Sequence, residues 1–523
     1  MPYSKLAAWA LVAVTATLLS GCAGAGPNGG ESGASGEPAA SADYEATYET
    51  SVCPVPNMPG HPTHDLGPEY ECGYLTVPEN RSDPDGATIR LAVARVPAIS
   101  ATPADTPLVY LDGGPGGTAL VSAPAQVATG INAERDVIFI DQRGTLHSEP
   151  NLTCPEIDDF LAEAPQLSFT DASTDALSNA ATTACHDRLV TAGIDLASYN
   201  TAENAHDIAD LRVALGIDEW DVYGVSYGTD LALTVLRDHP EGIRSVVLDS
   251  VVPPNLNIIP EFWPTAAVAY QALFDACDAQ PVCAAAYPDL AREFTETVAR
   301  LTETPLTVQV ADASGAPVDV VIDGYQLANT TAILLASGPA GWKAAPGMIH
   351  RLAQGDGTTA ATLQRSIVPP PDLVGLGLQW GVFCQEYVAQ TDLDEVLERG
   401  REVLPGFPDD TLRFLPQIPW AFDDCAIWDV GEADAATRAP VESDLPVLVM
   451  GGTFDAVTAV SWGDALVGGL TNAQFVAFPG LGHQVLPQSP CPVTVMRDFL
   501  ADPDAAIDDS CVGEMTLPTI VTP

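Results

Sequence analysis

The chain has 523 residues, 46% of them hydrophobic, which excludes a disordered chain and allows a large core. Its 70 acidic residues against 20 basic ones give a formal net charge of -50. So negative a surface repels phosphate backbones and anionic headgroups, so nucleic acid is not an expected partner.

Lys5 precedes an apolar run from Leu6 to Leu19, closed by the small residues Ser20 and Gly21. This is the layout of a secretory signal, and the run is too short to span a membrane. Leu19-Ser20-Gly21-Cys22 resembles the lipobox of bacterial lipoproteins. That resemblance implies cleavage after residue 21 and acylation of Cys22. The protein would then be exported, and held on the outer face of the cell membrane by lipid alone. Residues 23–43, rich in Gly, Ala, Ser, Pro and Glu, read as a tether. Setting Cys22 aside leaves ten of the 11 cysteines, an even number suited to disulfides in an oxidising compartment. Cys277 with Cys283 and Cys491 with Cys511 are close pairs. Cys53 with Cys72, Cys154 with Cys185 and Cys384 with Cys425 are the simplest remaining pairings, although spacing does not fix connectivity. Paired Cys-x-x-Cys motifs are lacking, so no metal site is expected.

Residues 44–254 read as the first part of an α/β core. Tyr74–Val77 and Ala87–Val96 predict a hairpin. Pro107–Leu111, Asp136–Ile140, Trp220–Tyr223 and Ser245–Leu248 predict buried strands, with helices over Thr201–Leu215 and Asp230–Asp238. This alternation implies a mostly parallel sheet with helices on both faces. Residues 255–440 change character, helix-rich and broken by Pro and Gly, and predict an inserted helical cap. Residues 441–523 return to the core, with strands at Leu445–Met450 and Gln474–Phe478 and a last helix over Val493–Leu500.

Gly224-Val225-Ser226-Tyr227-Gly228 follows a strand and precedes a helix, the setting a G-x-S-x-G nucleophile elbow requires. A serine needs a base. Only His239, His350 and His483 follow it. His239 ends the elbow's own helix and His350 falls in the cap. His483 lies in a Gly-rich loop after a strand, where this architecture delivers its base. Asp455, after another strand, is the expected acid, with Asp249 as competitor. The oxyanion donors are expected at Tyr227 and in the loop Asp112–Gly117, at Gly114 or else Gly113. The substrate is a peptide or an ester, with no cofactor. An altered triad position would have favoured a non-catalytic peptide-binding lipoprotein.

Together with Glu71–Pro78, Asp141-Gln142-Arg143-Gly144-Thr145 and Val247–Pro254, these motifs resemble the α/β-hydrolase branch of proline iminopeptidases and secreted actinobacterial tripeptidyl aminopeptidases. The resemblance implies release of short peptides, often tripeptides, from free N-termini. It also implies an acidic side chain near the cap that grips the substrate amine; Glu386 falls where such a residue is expected, the alternative being a surface charge beside a disulfide. The chain departs from the family at Asp112, at Leu146-His147 and at Ala459.

Overall fold

The computed structural model describes residues 44–520, except 59, 61, 313, 314 and 518. Among the described residues eleven strands run β1 (Thr47–Ser51), β2 (Glu71–Pro78), β3 (Thr88–Val96), β4 (Leu108–Leu111), β5 (Val137–Ile140), β6 (Trp220–Val225), β7 (Ile243–Asp249), β8 (Leu306–Ala311), β9 (Pro317–Ile322), β10 (Val447–Gly452) and β11 (Ala473–Phe478). Nine of them form one sheet in the order β1-β2-β3-β5-β4-β6-β7-β10-β11. The β1, β2, β3 and β5 pairings are antiparallel, and every pairing from β5 through β4 to β11 is parallel.

The parallel strands read as unbroken apolar runs because both sheet faces are covered. Successive side chains go to opposite faces. Val109, Ile138, Val222, Val246 and Val449 join one hydrophobic cluster, while Tyr110, Phe139, Tyr223, Val247 and Met450 join the other. Helices Thr201–Ala214, Tyr227–Asp238 and Pro490–Ala501 pack against these faces. The helix after the elbow starts at Tyr227, a turn earlier than predicted, because Ser226 is itself its N-cap.

Residues 255–440 carry helices that include Phe262–Asp278, Leu290–Glu303, Gly324–Ala336 and Pro339–Ala353. The expectation was a helical cap, but the segment also carries an antiparallel hairpin of β8 and β9. It does not separate as a compact unit of its own, because the described residues cluster as one. Trp263, Trp342, Trp380, Trp420 and Trp428 are all buried in the cluster that also holds core strand residues. Among the described residues there are five disulfides, Cys53–Cys72, Cys154–Cys185, Cys277–Cys283, Cys384–Cys425 and Cys491–Cys511. Among the described residues no helix is long and apolar enough to cross a membrane. Cys22 and the tether lie outside the described residues.

Candidate active site

Strand β6 ends at Val225, and the chain turns sharply at Ser226, with φ 56° and ψ -128°. A side chain at positive φ is strained and persists only where its surroundings enforce it. Here the Ser226 N–H donates to Asp249 O at 3.0 Å, and Thr229 Oγ1 donates back to Ser226 O. The flanking glycines are sterically required. A Cβ on Gly228 would lie 2.1 Å from Leu111 O, and one on Gly224 would lie 2.2 Å from Gly228 O. The turn therefore packs backbone on backbone and leaves Ser226 at the N-terminus of Tyr227–Asp238, whose first N–H groups lack intrahelical partners.

The loop after β4 lies against this turn. A Cβ on Gly113 would come within 2.6 Å of Ser226 Cβ. The Gly113 N–H donates to Asp112 Oδ1 at 2.9 Å, and Ser122 Oγ donates to Asp112 Oδ2 at 2.7 Å. Gly114, with φ 115°, lines the cavity beside Ser226. Of the two loop glycines, Gly114 is thus the one whose N–H is not committed to Asp112.

The Asp-Gln-Arg-Gly run supports this loop from behind. Gln142 Nε2 donates to Asp112 O at 2.8 Å, and Asp141 accepts the N–H of Leu120 at 2.9 Å. Arg143, fully buried, makes a fork to Asp207 at 2.8 and 2.9 Å and donates to Glu79 O and Ser198 O. His147 bridges Asp141 and Asn57 O, each at 2.6 Å. These residues, including the family departures Asp112 and His147, hold backbone in place.

Asp455 follows β10 and His483 follows β11. His483 Nδ1 meets Asp455 Oδ2 at 2.8 Å. The N–H groups of Val457 and Thr458 donate to Asp455 Oδ1 at 2.8 and 3.0 Å, and Thr458 Oγ1 donates to Oδ2 at 2.7 Å. Burial disfavours the Asp455 charge, but His483 and these donors outweigh it and hold the carboxyl below its ordinary range. Burial likewise disfavours the imidazolium, yet the Asp455 charge and hydrogen bond raise the His483 pKa.

The loop that carries His483 is anchored at several points. Its own N–H donates to Ala336 O at 2.8 Å, and Trp342 Nε1 donates to Gly480 O at 3.0 Å, both on the inserted segment. On the other side, Gln484 N donates to Ser250 Oγ at 2.8 Å. Asp249 does not contact the imidazole nitrogens. It is buried and accepts from Val485 N, Leu486 N and Tyr223 Oη. His239 rings against His206, and His350 Nδ1 contacts Glu293 at 2.9 Å.

A cavity of about 290 Å³ brings Ser226, Tyr227 and Gly114 together with Val457, Thr458 and Trp462. Residues of the inserted segment, among them Ile258, Phe262, Phe383 and Tyr387, close it with apolar surface. Glu386 is not in that lining. It sits in the π-turn Phe383–Tyr387, buried, with Oε1 and Oε2 accepting from Thr201 N at 2.8 Å and Thr201 Oγ1 at 2.7 Å. Thr201 Oγ1 in turn meets Tyr227 Oη at 2.9 Å. Burial, and then Asp230, push the Glu386 pKa up to about 7. Its carboxyl therefore anchors the start of helix Thr201–Ala214 instead of facing the cavity. Asp158 does line the cavity and had no motif to mark it.

Residues 106–313 match a family model described as alpha/beta hydrolase fold, and residues 413–511 match one described as TAP-like protein. A tripeptidyl aminopeptidase of Streptomyces coelicolor is 32% identical over 196 residues, 35% of this chain and 36% of that protein. The serine protease Hip1 of Mycobacterium tuberculosis is 29% identical over 260 residues, 48% of this chain and 47% of its own. Carboxylesterase B of Mycobacterium tuberculosis is 31% identical over 197 residues, 36% of this chain and 38% of its own. The chain thus spans less than half the length of each of these relatives.

Proposed function

Since the chain belongs to the α/β hydrolases, with a TAP-like C-terminal region, we propose that it is a serine peptidase that releases short peptides, tripeptides in particular, from free N-termini. Ser226 Oγ attacks the scissile carbonyl while His483 takes its proton, and Asp455 stabilises the imidazolium. The N–H groups of Gly114 and Tyr227 hold the oxyanion. The adduct expels the amine of the downstream chain, to which His483 returns the proton, and leaves an acyl-serine ester. Water, deprotonated by His483, then attacks the ester and restores the Ser226 hydroxyl as the short peptide leaves.

The observation that carries this reading is the 2.8 Å contact between His483 Nδ1 and Asp455 Oδ2. It lies in a site whose cavity wall takes in both Ser226 and the neighbours of Asp455, Val457 and Thr458. Similarity to the tripeptidyl aminopeptidase and to Hip1 supports a peptide substrate. The apolar cavity and the similarity to carboxylesterase B favour a second reading, an esterase on the same scaffold.

A fluorophosphonate probe should label the wild type and not Ser226→Ala. Tripeptide anilides with a free amine should then turn over faster than short-chain esters. Lack of labelling defeats the hydrolase mechanism, and ester turnover without peptide turnover selects the second reading. We also propose export with a lipid on Cys22, which the five disulfides support through their need for an oxidising compartment. Labelled fatty acid should be incorporated by the wild type and not by Cys22→Ser.

A further inference from the structure

We propose that a second cavity, continuous with the one that holds Ser226, binds uncharged apolar or aromatic residues of the substrate polypeptide just beyond the scissile bond. This rests on the peptidase reading above and adds a specificity site for the part of the substrate that is not released as the short peptide.

The second cavity has a volume of about 300 Å³. Leu161, Pro369 and Gln417 line both cavities, so the two meet at these residues. One wall of the second is aromatic. Phe169 packs on Trp420 at 4.6 Å between ring centroids and on Tyr325 at 5.3 Å. The polar tips of these two partners are occupied elsewhere, since Trp420 Nε1 donates to Asp175 Oδ1 at 2.8 Å and Tyr325 Oη donates to Leu415 O at 2.9 Å. The rings are thereby fixed and offer the cavity apolar surface. Ile333 and Ile367, both half-buried, add aliphatic surface. Among the described residues no Asp, Glu, Lys, Arg or His lines this cavity, in a chain with 70 acidic residues. At the junction Gln417 is held at φ 69°, and its N–H donates to Asn329 Oδ1 at 3.0 Å. Among the described residues neither Asn329 Nδ2 nor the side-chain amide of Gln417 has a hydrogen-bond partner. Both can serve the N–H and C=O groups of an extended peptide that passes from one cavity to the other.

The occupant follows from the reaction and from the chemistry of this wall. The piece held as the acyl-serine ester is short and ends at its N-terminus. The chain beyond the scissile bond continues and must reach solvent. The second cavity is the more open of the two, and the exposed Gln417 and Pro369 stand at its border with the first. It therefore gives the longer part of the substrate its way out. A charged side chain there would lose hydration and gain no partner, so acidic and basic residues are disfavoured. An apolar or aromatic residue gains burial against rings already in place. These contacts form before the acyl-enzyme does, so they act on kcat/KM for acylation.

The test compares kcat/KM for peptides that share one N-terminal tripeptide and differ beyond the scissile bond. The extensions carry leucine and phenylalanine, serine and glycine, or lysine and arginine. The proteins are the wild type, Ile333→Ala, Ile333→Glu and Ile367→Glu, since both isoleucines line the second cavity and not the first. Melting temperature and fluorophosphonate labelling serve as controls for folding. The wild type should prefer the apolar extension over serine and glycine by about 30-fold. Ile333→Ala should lose about 3-fold or more of that preference. The two glutamate variants should lose most of it and favour the basic extension about 10-fold more than the wild type does. The net charge of -50 acts on wild type and variants alike, so it does not produce that shift. A wild type indifferent to the extension overturns the inference, as do variants that fold and label yet keep the wild-type preferences. Variants that change selectivity within the released tripeptide instead also overturn it, because the cavity would then hold the acyl side. A wild type that labels and cleaves no peptide at all defeats the peptidase reading, and this inference with it.

Discussion

The carboxylate of Asp249 accepts the N–H of Val485 at 2.9 Å, two residues beyond His483. It also takes the N–H of Leu486 at 3.1 Å and the hydroxyl of Tyr223 at 2.8 Å, so it ties the end of β7 to the loop that positions the base. Removing it strands three buried donors, each costing about 1–3 kcal/mol. Asp249→Ala should lower the melting temperature by several degrees and lose labelling through the displaced loop. Asp455→Asn should melt within about 2 °C of the wild type and lose about 10⁴ in kcat. Calorimetry beside steady-state kinetics checks both, and an exchanged pattern would exchange the roles of the two aspartates.

The pH profile follows from the same contact. Asp455 raises the His483 pKa above its ordinary 6.5, against the opposing effect of burial. The base works only when neutral, so kcat/KM should rise with pH along an acid limb centred above 6.5. Asp455→Asn removes the charge and leaves burial, so any residual activity should have its acid limb at lower pH. For stability the sign is opposite. A raised histidine pKa stabilises the fold below its unfolded value, and that contribution is lost as pH rises through the folded value.

The candidates Ser226, Asp455 and His483 stand out in the sequence because each sits where an apolar run stops, and a parallel sheet gathers those ends on one edge. The disulfides are legible because each cysteine finds a partner nearby in the chain. The hairpin β8–β9 left a signal, since Leu306, Val308 and Val310 alternate with polar residues, but it lies within helical sequence. Strand β1 left little, because its residues are mostly exposed and carry no apolar alternation. The position of Glu386 outside the cavity lining was not legible, because it follows from the π-turn Phe383–Tyr387, and no local pattern announces such a turn. Asp158 belongs to no motif. Its place in the cavity arises from helix Pro155–Glu163 meeting Pro369 and Pro370 across hundreds of residues.

The elbow's glycines offer a steric test. Gly228→Ala would bring a methyl group to 2.1 Å from Leu111 O, in backbone that anchors both β4 and the oxyanion loop. Backbone, unlike a side-chain tip, cannot swing aside, so overpacking of about 3 kcal/mol or more is expected. Gly228→Ala should give little soluble protein and no labelling. Gly216→Ala, at a helix end with open space but φ 65°, should cost only the local backbone strain, and full labelling should persist. Equal labelling of the two variants would show that the elbow tolerates a Cβ.

Glu386 separates structural from substrate-binding carboxyls. Its pKa rises from 4.5 to about 7 through burial and then Asp230. Between those values the folded chain keeps a proton that the unfolded chain releases, so stability falls as pH rises across that window and stays lower above it. Glu386→Gln removes the titration while retaining an acceptor for Thr201. Its melting temperature should therefore match the wild type near pH 4.5 and exceed it at pH 8. Its preference for free-amine peptides should be unchanged, because the side chain lies outside the cavity lining. If Glu386→Gln folds, labels and loses that preference, the amine binds at Glu386, and the contact with Thr201 opens when substrate enters.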